Sequence, residues 1–130
     1  MFKITQPPVI IFGKYSVRDY SFPQNCLVVT SKGAVSRGWL EYMKLNNYHI
    51  FDKVESNPSI ETAEGIISEF SNSNFSNIIG LGGGSSMDVA KFVAKKMKKF
   101  KILVPTTFGS GSEVTRISVL KVNGKKKSFH

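Results

Sequence analysis

The sequence predicts an α/β fold: a doubly wound, mostly parallel sheet with flanking helices and a C-terminal β-hairpin. Three observations carry that prediction. Short apolar runs without polar alternation, such as Cys26-Leu27-Val28-Val29, read as strands buried on both faces. Stretches of about a dozen residues with helical spacing separate these runs, the length that a parallel crossover needs. One strand-to-helix junction, Gly82-Gly83-Gly84, is a run of glycines. At 130 residues and 41% hydrophobic content, with ten Phe, the chain can bury one core and is not of disordered composition, so a single domain is expected.

Each element has its own warrant. Pro7-Pro8-Val9-Ile10-Ile11-Phe12-Gly13 reads as a short extended opening strand, and Cys26 to Thr30 as a fully buried one. From Val35 to Asn46 the residues Val35, Trp39, Tyr42 and Met43 approximate helical spacing; Gly38 weakens the pattern and Trp39 is expected to anchor the core. His49 to Val54 is a second strand, with His49 partly buried. At Asn57-Pro58-Ser59, either Ser59 or Asn57 can cap a helix that Glu61 and Glu64 favour and that runs to Phe70. Asn77 to Leu81 is a strand, Ser85 to Lys99 a helix with an apolar stripe at Val89, Phe92, Val93 and Met97, and Lys101 to Val104 a strand stopping at Pro105. Ile117 to Val122 and Lys125 to Phe129 flank Asn123-Gly124, the signature of a hairpin with a type I′ turn.

The net charge of +9 is concentrated: residues 91 to 130 hold eleven Lys or Arg against one acid. Such asymmetry suits a nucleic acid, an anionic ligand or an acidic partner. Lys95, Lys96, Lys98 and Lys99 fall opposite the apolar stripe and read as a solvated helix face. With no interleaved aromatics and no nucleic-acid motif, nucleic acid is not the expected partner. The single Cys26 lies in an apolar run and reads as a small buried hydrophobe in a reducing compartment. No apolar stretch approaches membrane length and no charged leader precedes one, so a cytoplasmic protein without a membrane partner is expected.

In a doubly wound sheet, ligands gather at the carboxyl ends of the strands. That rule brings four loops to one edge: Thr30 to Gly33, Ser56 to Ser59, Gly82 to Ser86, and Pro105 to Glu113. Glycines let backbone N–H groups approach an anion, and the following helix adds unpaired donors and a positive dipole end, so Gly82, Gly83, Gly84, Ser85 and Ser86 suit a diphosphate. A branched residue at Gly83 or Gly84 is expected to fill that space and resist a positive φ. Glycine runs also serve turns that bind nothing. The order Gly80-Leu81-Gly82-Gly83 departs from the usual dinucleotide fingerprint, no acid follows about twenty residues on, and no Gly-Lys-Ser/Thr triplet makes a P-loop. Thr106-Thr107-Phe108-Gly109-Ser110-Gly111-Ser112-Glu113 is rich in hydroxyls that suit phosphate and ribose oxygens.

With both loops in view, the chain resembles the amino-terminal half of the iron-containing alcohol dehydrogenases, within the dehydroquinate synthase-like fold. The resemblance is carried by Phe12-Gly13, Leu27 to Thr30, Asn57-Pro58, Gly82 to Lys91 and Pro105 to Thr115, in the family's order. It implies that the glycine block wraps the pyrophosphate of NAD(P), that Thr106 and Thr107 contact the nucleotide, that Ser110 belongs to the same loop, and that Asn57 lies beside the cofactor. Asp88 either stabilises the helix start or faces the ribose, the nicotinamide or a polar network, since a carboxylate aimed at a diphosphate is repelled. Many members carry an Asp after Val-Val-Thr to bind the adenosine ribose; here Ser31 and Lys32 follow, which favours NADP over NAD.

The family's divalent metal, iron or zinc, is held by one Asp and three His of a helical domain that this chain is expected to lack, because His49 and His130 are its only histidines. The resemblance thus implies the cofactor-binding part, residues 1–130, of an NAD(P)-dependent, metal-assisted alcohol dehydrogenase or aldehyde reductase acting on a small alcohol or aldehyde. The chain alone is expected to be inactive, and its uncovered apolar face to favour a homo-oligomer. A standalone, non-catalytic nucleotide-binding module is the alternative, with a basic nucleic-acid-binding domain third.

Overall fold

The computed structural model describes residues 9–107, 111–115 and 117–130. Its centre is a four-stranded parallel sheet made of β1 (Cys26–Val29), β2 (Tyr48–Phe51), β3 (Asn77–Gly82) and β4 (Phe100–Pro105), in the order β2-β1-β3-β4. Leu27 and Val29 point to one side of the sheet, into a cluster with Ile78, Ala63, Ile66, Val89 and Val93. Cys26 and Val28 point to the other, with Ile79, Leu81, Leu40 and Met43. Period-two alternation into two cores makes all four β1 residues buried, which is why that strand is uniformly apolar.

The helices divide accordingly. α1 (Ser16–Asp19), α2 (Lys32–Ser36) and α3 (Trp39–Tyr42) are short, whereas α4 (Ile60–Glu69) and α5 (Gly84–Met97) are long and supply Ala63, Ile66, Val89 and Val93 to the first cluster. The Ser59 hydroxyl caps α4, accepting from the Thr62 N–H at 3.2 Å. Asn57 adopts a left-handed φ of 51° and ends the preceding loop. β5 (Ser118–Val122) and β6 (Lys125–Phe129) form the antiparallel hairpin, its turn built on Asn123 at φ 52° and Gly124 at φ 78°. Leu120 is fully buried and the Phe129 ring stands edge-on to Phe92 at 5.1 Å, so the hairpin packs on α5.

Several expectations are corrected. The helix expected over residues 35–46 is two short helices, because Gly38 adopts φ 84° and resets the helical phase. Leu40 and Met43 then turn inward, and Trp39 is left 40% exposed against the edge of Tyr42. Val9 to Phe12 form no strand; they are exposed and have no strand partner among the described residues, while Pro7 and Pro8 lie outside those residues. His49 is exposed, since β2 is an edge strand, and its ring rests near Phe70 and Phe75. Among the described residues no helix is long and apolar enough to cross a membrane.

Candidate nucleotide-binding site

The chain leaves β1 for β2 on one side and then moves to β3 on the other, so the sheet has its topological switch point between β1 and β3. Crevices at such points receive ligands at the carboxyl ends of the strands. Here the two ends are joined: the buried Thr30 hydroxyl donates to the Leu81 carbonyl at 2.7 Å. The Thr106 N–H donates to the Gly82 carbonyl at 2.9 Å, drawing the end of β4 to the same edge.

At that edge the glycines play different parts. Gly82 has φ 139°, a region closed to most side chains, and a Cβ there would stand 3.1 Å from the Ser86 hydroxyl oxygen. Gly83 has φ −83° and precedes the first turn of α5 with no side-chain cap, and a Cβ on it would stand 3.3 Å from the Thr107 hydroxyl oxygen. The positive φ expected at Gly83 or Gly84 therefore belongs to Gly82, and Gly84 already opens the helix. Gly83 keeps clear the space between the helix N-terminus and Thr107. The N–H groups of the first turn have no carbonyl inside the helix to bond and remain available to an anion.

The remaining sequence-predicted residues fall around this edge, with one exception. Ser31 caps α2, accepting from the Ala34 N–H at 3.2 Å, which leaves its own O–H to donate; Lys32 follows, exposed. Asn57, Gly84, Ser85 and Asp88 line a cleft of 310 Å³. Thr106 and Thr107 follow β4. Ser110 lies outside the described residues.

Asp88 does not cap the helix, whose N-cap is Gly83. Its Oδ1 accepts from the Ser112 hydroxyl at 2.6 Å and stands 3.3 Å from the Lys91 ammonium, and its Oδ2 accepts from the Val119 N–H at 3.2 Å. The carboxylate faces a polar network, and the neighbouring ammonium offsets the charge that would otherwise repel a phosphate.

Three cations escaped the sequence reading. Lys121 and Lys126 line the same cleft and stand directly opposite each other in the hairpin ladder. The Asn123-Gly124 turn fixes that pairing, so register alone could have found them. Arg37 folds back over the start of α2, its Nη1 lying 3.2 Å from where a Cβ on Gly33 would stand. Cys26, by contrast, is a buried thiol donating to the Pro23 carbonyl at 2.9 Å, and burial pushes its pKa up. Among the described residues no three His, Cys, Asp or Glu side chains come together as a metal site would require.

The parallel sheet with its switch point and the glycine run that opens α5 define a doubly wound α/β domain. A model of the iron-containing alcohol dehydrogenase family matches residues 7–130, and the chain belongs to that family. Long-chain-alcohol dehydrogenase 1 of Geobacillus thermodenitrificans is 35% identical over 99 residues, covering 60% of this chain and 25% of that protein. An iron-containing alcohol dehydrogenase from Thermotoga maritima superposes with a TM-score of 0.88 at 29% identity, over 98% of this chain and 44% of the other. Sulfoacetaldehyde reductase from Bifidobacterium kashiwanohense, solved with NAD+, superposes with a TM-score of 0.80 at 25% identity, over 98% of this chain and 42% of the other. The chain thus spans less than half the length of these relatives.

Proposed function

We propose that this chain is the cofactor-holding part of an NAD(P)-dependent oxidoreductase that interconverts an alcohol and an aldehyde. The observation that carries the reading is that Gly84 and Ser85, at the start of α5, share one cleft with Asn57 and the hairpin lysines Lys121 and Lys126. In this reading the N–H groups of Gly84, Ser85 and Ser86 bind the diphosphate. Lys121 and Lys126 neutralise it from the opposite wall, and Thr106, Thr107 and Asn57 hydrogen-bond the nucleotide. Ser110 extends the same contact. Asp88 holds the cleft wall rather than the phosphates. The nicotinamide supplies or accepts the hydride.

Ser31 and Lys32 stand where the adenosine ribose is expected, and the Arg37 guanidinium folds beside the neighbouring Gly33. Two cations and a hydroxyl with no acid among them favour a 2′-phosphate, so NADP is the preferred cofactor. Among the described residues no group of side chains suits a catalytic metal, and this reading places no step on iron or zinc. The isolated chain is then catalytically silent; the enzyme is cytoplasmic and acts as a homo-oligomer.

Fluorescence titration with NADPH and NADH tests the reading. The chain binds NADPH more tightly, and Ser31→Asp moves the ratio toward NADH. Equal affinities would remove the NADP assignment, and absence of binding by either nucleotide would remove the function itself.

A further inference from the structure

Lys91 is buried, 4% exposed, on the third turn of α5, and no contact with the cleft explains it. Its ammonium is shared among five oxygens: the Ser112 carbonyl at 2.8 Å, the Ile117 carbonyl at 2.6 Å, the Thr115 carbonyl at 3.2 Å, the Thr115 hydroxyl at 3.1 Å and Asp88 Oδ1 at 3.3 Å. Three of these are main-chain carbonyls of the segment joining the loop after β4 to the hairpin. This connection opens with a single 3-10 turn, Ser112–Val114, and one ammonium gathers three of its carbonyls. Asp88 completes the clamp from the same helix by taking the Ser112 hydroxyl and the Val119 N–H.

The clamp's far end is the cleft. Val119, held by Asp88, lines it, and so do Leu120 and Lys121 next along β5 and Asp88 itself. We propose that Lys91 is a positioning residue for cofactor binding: with Asp88 it fixes Ser112, Thr115, Ile117 and Val119 against α5 so that the hairpin wall stands at the right distance from the glycine loop. The proposal rests on the nucleotide reading above. Desolvation holds the Lys91 pKa below that of an ordinary lysine, with Asp88 opposing that shift. The oxygens that Lys91 gathers come from separate residues of one connection, so geometry is the property it supplies.

The test uses Lys91→Met, which keeps the length and apolar stem and removes the ammonium, and Thr115→Val, which removes a single acceptor at an exposed residue. NADPH affinity is read by fluorescence. Hydrogen exchange of the Val114, Thr115 and Val119 amides is read without ligand, with β1 and α4 amides as internal reference.

Lys91→Met is expected to weaken NADPH binding about tenfold or more, the scale of one charge-assisted contact. Exchange should accelerate at the three named amides only, and Thr115→Val should move both readouts less in the same direction. A folded Lys91→Met with wild-type affinity and exchange overturns the proposal. So does acceleration spread equally over β1 and α4, which marks a merely structural lysine. If Lys91→Met does not fold, Thr115→Val decides, and unchanged affinity and exchange overturn the proposal. Wild-type protein that binds neither nucleotide instead overturns the reading on which the proposal rests.

Discussion

Gly80→Ala is the substitution that most sharply tests how the sheet positions the helix. Gly80 lies buried in β3, between Val29 and Leu103 in the ladder, directly beneath α5. A Cβ there would stand 2.7 Å from Ala90 Cβ, 3.0 Å from Leu103 Cδ2 and 3.5 Å from Met87 Cα. The Leu103 methyl can swing aside, but Ala90 Cβ is fixed to the helix, so α5 itself must lift. Overpacking of this kind costs about 1–3 kcal/mol. At about 2.1 cal/mol/K per residue, a chain of 130 residues has an unfolding entropy of roughly 0.27 kcal/mol/K, so a cost near 2 kcal/mol lowers Tm by about 7 °C.

Thermal unfolding followed by circular dichroism measures the shift. Combining the change with Ala90→Gly removes the opposing methyl, and the double variant should be more stable than the sum of the single losses even though a helical glycine itself costs about 1 kcal/mol. A Gly80→Ala protein melting within about 1 °C of wild type, or strictly additive losses, would refute the close-approach argument.

Three further outcomes follow from other parts of the molecule. Ser59→Ala removes the α4 cap and should cost about 1 kcal/mol in denaturant unfolding, while Ser59→Gly should cost only a few tenths. Cys26 should resist a thiol reagent in the folded protein and react promptly in denaturant, because burial raises its pKa and keeps it protonated; equal rates in both states would contradict its burial. The folded-state pKa of Lys91 lies below its usual 10.5 through desolvation, opposed by Asp88 and Glu113 and reinforced by Lys101. The unfolded chain therefore binds more protons at this residue between the folded value and 10.5, and its contribution to unfolding free energy rises with pH across that window. Unfolding curves of wild type and Lys91→Met, compared across it, should diverge in favour of wild type as pH rises; parallel curves would refute the shift.

Much of this architecture is readable from residues. β1 is legible because burial on both faces demands an unbroken apolar run, and the hairpin because Asn123 and Gly124 accept the positive φ of a type I′ turn. The meeting of the glycine loop with the ends of β1 and β4 follows from the order of strands and helices. What failed did so for tertiary reasons. Trp39 fits a helical stripe only if the helix is continuous, and the left-handed Gly38 breaks it. Val9 to Phe12 have strand-forming side chains, but pairing needs a neighbouring edge that sequence does not reveal. Nothing in the sequence marks Lys91 as buried until the carbonyls of Ser112, Thr115 and Ile117 are known to fold over it. Likewise, which glycine of the run takes the positive φ depends on where α5 begins, and helix ends are poorly determined by sequence.

The claim on which the rest depends is that the chain binds a nicotinamide dinucleotide across the carboxyl ends of β1, β3 and β4. Amide chemical-shift mapping of the labelled chain during titration with NADP+ tests it most directly. Saturable shifts are expected at Gly82, Gly83, Gly84, Ser85 and Ser86, at Ser31 and Lys32, and at Thr106 and Thr107, lost in Gly83→Val under conditions where that variant is folded. Absence of saturable shifts, or shifts confined to the exposed Lys95, Lys96 and Lys98 face of α5, would contradict it.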